Sequence, residues 1–168
     1  MTSRDQYLLR WVQDLGRAID YVEERPDLDS TRIAYLGTSN GAFLAPHLLP
    51  YEPRYRAAVL WAGGFSAAED PKQVPLRINL CRRTTIPVLL LNGRYDYQMP
   101  MAYQKAMIDA FGAPADHKRH VIFEASHWPY PRGELIKETL GWLDRWLGPV
   151  GDHSALPAAV VSAVERKR

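Results

Sequence analysis

Residues 32–45 read RIAYLGTSNGAFLA, and Gly37-Thr38-Ser39-Asn40-Gly41 within them constrain the fold more than any other stretch. Ile33, Ala34, Tyr35 and Leu36 form a short apolar run of strand formers, and Ala42, Phe43, Leu44 and Ala45 begin a helical pattern at once. A chain that turns from strand to helix through a serine needs small residues two positions to either side, because strand and helix pass closely and the turn is strained. Gly37 and Gly41 meet that need in sequence. The turn holds the Ser39 hydroxyl over the carboxyl end of the strand, while the new helix aims N–H groups and a partial positive charge at any oxyanion formed nearby. Ser39 is thereby placed as a nucleophile. Without a strand before it and a helix after it, the same pentapeptide would be only a Gly-Ser loop.

The rest of the chain supplies the scaffold such a turn requires. With 168 residues, 46% of them hydrophobic, there is enough material for one domain with its own core. We expect that domain over residues 1–150, with residues 151–168 as a flexible or weakly helical tail. The 21 basic and 19 acidic residues are interspersed and form no long patch for nucleic acid or acidic lipid, and the ERKR end reads as a solvated terminus. Cys81 is the sole cysteine, so no internal disulfide can form; without a histidine cluster, neither a zinc site nor a cofactor is expected. No apolar run approaches the ~18 residues that would suggest a membrane span. The opening MTSRDQ lacks the apolar core of a signal peptide, which gives a cytoplasmic expectation.

In chain order, Leu8, Trp11, Val12, Leu15, Ile19 and Val22 carry the spacing of an amphipathic helix over about residues 4–24. The elbow strand follows a polar turn, and the elbow helix is expected to reach about Leu49, with Pro46 as a kink or limit. AAVLWAGG at 57–64 and IPVLLLNG at 86–93 are continuous apolar runs, as strands buried on both faces should be. Between them, residues 65–85 with Pro71 and Pro75 read as an irregular connection. A helix over about 101–111, a strand over 118–124 and a final helix ending at Gly148-Pro149 complete the order. Strands alternating with helices argue for an α/β fold: a mostly parallel sheet with right-handed crossovers and helices on both faces. Sites in such sheets form at the carboxyl ends of the strands.

Ser39, Asp96 and His127 each fall just past the end of a different expected strand. A serine hydroxyl becomes a nucleophile when an imidazole takes its proton, and a carboxylate can orient that imidazole. The chain order serine, aspartate, histidine is the one found in α/β-hydrolases. Asp96 taken alone would be an ordinary turn residue. Asp109 in a helix and Asp116 before a strand are less well placed, and His47, His117, His120 and His153 lie on other elements or in the tail. Trp61, Tyr97 and Trp128 lie near the same edge, either lining an acyl pocket or as plain core.

DLGRAIDYVEERPDLD (14–29), GTSNG, PVLLLNGRYD (87–96), HKRHV (117–121) and ELIKETLGWLDRWLGPV (134–150) together carry a resemblance that covers about residues 11–150. On these residues the chain resembles the C-terminal part of an α/β-hydrolase of the dienelactone hydrolase, acetyl xylan esterase and prolyl oligopeptidase-like group. The resemblance implies Ser39 as nucleophile, Asp96 as acid and His127 as base, with the Asn40 backbone N–H as one oxyanion donor. Dienelactone hydrolases proper carry cysteine at the elbow, so Ser39 points toward ester hydrolysis. The family often has glycine where Ser126 precedes the histidine. Its members carry strands before the elbow, and a loop among them supplies a second oxyanion donor. This chain begins one helix before the elbow strand, so residues 32–37 are expected at a sheet edge, open to pairing in a homo-oligomer.

Three functions follow as expectations. The first is a cofactor-independent serine esterase acting on small acyl or acetyl esters. The second is a non-catalytic hydrolase remnant that serves as an interaction module, and the third is a prolyl oligopeptidase-like peptidase.

Overall fold

The structure is a computed structural model, and it describes residues 3–66, 68 and 72–149. The tail expected at 151–168, with His153, lies outside the described residues. A long helix α1 (Ser3–Glu24) precedes the elbow strand β1 (Ala34–Thr38), which leads through Ser39 into α2 (Asn40–Leu48). Then come β2 (Ala57–Trp61), α3 (Val74–Arg82), β3 (Val88–Gly93), α4 (Met101–Ala110), β4 (Lys118–Phe123) and α5 (Arg132–Leu147).

The four strands of the described residues are parallel, in the order β1-β2-β3-β4, with Leu36 paired to Val59, Val59 to Leu89 and Leu89 to Arg119. Every connection within the sheet therefore runs through a helix, as parallel pairing demands. The strands are apolar on both faces because both are covered. Ala58, Leu60, Val88 and Leu90 join Ile19, Ala42, Ala45, Cys81, Met107 and Phe111 in the core under α1 to α4. Ala57, Val59, Leu89 and Leu91 face the other way, into a core with Leu135 and Trp142 of α5. Among the described residues, four α-helices thus lie on one face and one on the other.

The expected irregular connection at 65–85 contains a helix. Pro75 stands in the first turn of α3, where its missing N–H would have had no helical acceptor and its fixed φ suits the helix, so it starts the element. Arg77 of this helix is fully buried: its guanidinium stacks 3.7 Å over the Phe43 ring and donates to the Phe43 carbonyl, which ties α3 to the elbow helix. Pro46 lies inside α2 without ending it.

On the second face α5 packs across β2 and β3. Leu36 points to that face by its register with Val59, and it is 51% exposed. Among the described residues β1 has a strand neighbour on one side only. No helix among them is long and apolar enough to cross a membrane.

Candidate active site

Ser39 is the residue between β1 and α2, and its backbone is left-handed (φ 50°, ψ −106°), a conformation costly for any residue with a Cβ. Two backbone bonds hold it there: its N–H donates to the Trp61 carbonyl on β2 at 2.8 Å, and its carbonyl accepts from Phe43 N–H at 2.8 Å. The close approach expected at both flanking glycines exists at one of them. A Cβ on Gly37 would stand 2.7 Å from the Gly41 carbonyl carbon and 2.9 Å from the Ala42 nitrogen, whereas a Cβ on Gly41 would meet nothing nearer than the Tyr35 hydroxyl at 3.8 Å. Gly41 is instead held through its backbone, whose carbonyl accepts a 2.8 Å hydrogen bond from Tyr35. The reason is geometric: the strand runs under the first turn of α2 at residue 37, while residue 41 already points away from it.

The Ser39 hydroxyl lies 2.8 Å from His127 Nε2, and His127 Nδ1 lies 2.7 Å from Asp96 Oδ2. A carboxylate oxygen only accepts, so Nδ1 carries the proton and, in the neutral ring, Nε2 is left to accept from the serine. The other Asp96 oxygen accepts from the backbone N–H groups of Gln98 (2.9 Å) and Met99 (3.0 Å). Asp96 is buried and His127 only partly so, which leaves the imidazole reachable from the serine side. The Asn40 N–H is the first of α2 and belongs to the opening turn, whose N–H groups have no helical acceptor.

The loops carrying Asp96 and His127 are laid against each other. Arg94 N–H donates to the Phe123 carbonyl at 2.8 Å and Tyr95 N–H to the Ala125 carbonyl at 2.9 Å, so pairing continues past the ends of β3 and β4. Gly93 makes this possible, since a Cβ there would overlap the carbonyls of Ser126 and Ala125. Asn92, fully buried on β3, donates to the Gly63 carbonyl at 2.8 Å and meets His120 Nε2 at 3.1 Å. Gly93 and Asn92 were not singled out in the sequence, although the NG that ends the most apolar strand was a signal for a turn.

The other candidates are accounted for. Asp109 is exposed and pairs with Lys105 within α4, and Asp116 lies 3.8 Å from His117. His117 packs on Trp146, and His47 is in α2. Burial lowers the His120 imidazole to about 4, so it stays neutral near pH 7. Trp61 stacks on Trp128 at 6.4 Å and donates to Thr139, whereas Tyr97 and Trp128 are largely exposed, so this edge is not plain core. Cys81 is fully buried in α3, and burial raises its thiol to about 12, which leaves it protonated and inert. No group of three or more His, Cys, Asp or Glu side chains among the described residues could hold a metal ion.

The family description "Dienelactone hydrolase family" matches residues 2–128. The chain belongs to that family. Its structure is similar to a zinc-bound cold-adapted esterase from an Arctic intertidal metagenomic library: TM-score 0.67, 21% identity, over 81% of this chain and 57% of that one. It is also similar to an acetyl xylan esterase from Paenibacillus sp. R4, with TM-score 0.63, 18% identity, and 81% and 52% of the two chains covered. An acylaminoacyl peptidase of Pyrococcus horikoshii aligns with TM-score 0.65 and 16% identity over 84% of this chain and 28% of its own. No curated protein sequence matches. At these identities the likeness establishes the α/β-hydrolase fold, and the chain spans little more than half the length of the first of these structures.

Proposed function

We propose that the protein is a serine hydrolase that cleaves small carboxylic esters, acyl or acetyl, through an acyl-enzyme intermediate. The observation that carries this reading is the unbroken hydrogen-bonded line from the Ser39 hydroxyl through His127 to Asp96. Ser39 Oγ attacks the ester carbonyl carbon while its proton passes to His127 Nε2, and the oxyanion is met by the Asn40 N–H at the start of α2. Collapse of the tetrahedral adduct breaks the ester C–O bond, and the imidazolium returns the proton to the departing alcohol. Water then attacks the acyl-serine with His127 as base, releasing the acid and restoring Ser39. Asp96 holds the imidazole in the required tautomer and stabilises its protonated form. A serine at the elbow and a cysteine buried elsewhere favour this over thiol chemistry.

Hydrolysis of 4-nitrophenyl acetate tests the proposal. Ser39→Ala is expected to lower kcat by at least about 1,000-fold, and equal rates for the two proteins would end the reading. A fluorophosphonate separates it from the non-catalytic module: covalent labelling at Ser39 is expected, whereas that module would stay unlabelled. Peptidase activity ranks lower, because nothing in the sequence encodes a pocket for a peptide chain.

For a partner we propose a second copy of this chain, joined along β1. Residues 33–38, Ile-Ala-Tyr-Leu-Gly-Thr, hold none of the charges or prolines by which sheet edges avoid pairing. An antiparallel pair centred on Leu36 would set that half-exposed side chain against its own copy, as an isologous contact requires.

A further inference from the structure

We propose that Gln104 is a positioning residue: its buried carboxamide holds the Asp96 loop at the place where the carboxylate meets His127. The inference rests on the hydrolase reading above and assigns a role to a side chain outside it.

The loop leaves β3 at Gly93 and enters α4 after Pro100, with Asp96 between. Gln104, one turn into α4, is fully buried. Its Nε2 donates to the Gly93 carbonyl at 2.9 Å and to the Met99 carbonyl at 2.7 Å, which uses both hydrogens of the amide and closes the loop three residues to either side of Asp96. The amide orientation is forced, since turning it over would aim its oxygen at two carbonyl oxygens. Met99 is the shared member: its carbonyl accepts from Gln104, and its N–H donates to Asp96 Oδ1. A continuous path of hydrogen bonds therefore runs from Gln104 through Met99, Asp96 and His127 to Ser39.

Packing alone would not choose glutamine here. Its Oε1 is buried without a hydrogen-bond partner, a cost that a methionine or leucine of similar volume would avoid. What an apolar residue lacks is the pair of donors across the loop. Losing them leaves the Met99 carbonyl unmet and the Gly93 carbonyl with only the long 3.4 Å bond from the Asp96 N–H. Met99 is freed and the carboxylate drifts from the imidazole; misplacement by about 1 Å costs on the order of 100-fold in rate.

Turnover of 4-nitrophenyl acetate by Gln104→Met, Asp96→Asn and the double variant tests this, with thermal melts to confirm folding. Gln104→Met is expected to lower kcat by roughly 10- to 100-fold and to leave KM within about twofold. In the Asp96→Asn background the same change is expected to cost less than about threefold, because residues acting as one unit are not additive. An equal loss in both backgrounds, or no loss in either, would overturn the role. Gln104→Glu gives a second reading should the methionine variant not fold. There the new carboxyl can donate to only one carbonyl and ionises against both, so activity should fall with rising pH along a limb the wild type lacks. A profile superimposable on the wild type would count against the proposal. The far-downfield proton resonance of the His127 Nδ1–H reads the same geometry without turnover. It is expected to broaden or move upfield in Gln104→Met, and an unchanged resonance overturns the role. Activity that survives Ser39→Ala marks a failure of the hydrolase reading instead, and leaves the resonance test standing.

Discussion

Two glycines that look equivalent in the sequence do different things. At residue 37 a methyl group would press on the backbone of Gly41 and Ala42, which cannot move without breaking the turn that holds Ser39. Gly37→Ala is therefore expected to cost about 2–4 kcal/mol, read by urea denaturation, and to abolish labelling at Ser39. At residue 41 the nearest atom is the end of a tyrosine at 3.8 Å, and the position is in the first turn of a helix. There alanine has the better helix propensity, so Gly41→Ala is expected to be neutral or stabilising by up to about 1 kcal/mol. Equal damage at both positions would show that the turn is limited by backbone strain and not by crowding. Gly93 belongs with Gly37, since its missing Cβ lets the Asp96 and His127 loops lie against each other.

Between elements, the polar link from β4 to β3 is where pH should be felt. His120 Nε2 meets Asn92 Oδ1, whose amide nitrogen is committed to Gly63, so Nε2 carries the proton. Burial lowers its folded value to about 4 from an ordinary 6.5. Between those values the unfolded chain binds more protons than the folded one, so stability is fully present above about pH 6.5 and declines as pH falls toward 4, by roughly 1–3 kcal/mol. Chemical denaturation across that range should show the slope, and His120→Gln should flatten it. A slope that persists unchanged in the variant would assign it to other groups. At the same scale, α3 is fixed to the elbow helix by the Arg77 guanidinium between the Phe43 and Phe65 rings. That contact anchors α3 itself.

At the scale of the whole sheet, the one helix that the described residues place on the second face cannot span their four strands. α5 reaches β2 and β3 and leaves Leu36 of β1 half exposed, beside a strand edge with no neighbour among the described residues. Pairing of that edge with a second copy is expected to give a dimer by light scattering. Leu36→Lys, with a charge at the centre of the pair, should return a monomer that still labels at Ser39. A wild-type monomer at all concentrations would remove the proposed interface.

Much of this was legible in the sequence because it depends on local chemistry. Apolar runs of strand length, helical spacing and the glycines of GTSNG gave the order of elements, and parallel pairing then sent Ser39, Asp96 and His127 to one edge of the sheet. The helix within 65–85 is hidden in the sequence because a proline that begins a helix looks, in one dimension, like one that prevents it. Contacts between distant segments could not be read at all. That Gln104 reaches back to Gly93 and Met99, that Gly93 must be bare for a loop 32 residues later to cross it, and that Gly41 has room to spare are matters of three-dimensional approach. The sequence by itself determined the strand ends that Ser39, Asp96 and His127 occupy. Only the tertiary structure decided which backbone groups hold them at hydrogen-bonding distance, because those partners are selected by packing across the sheet and not by spacing along the chain.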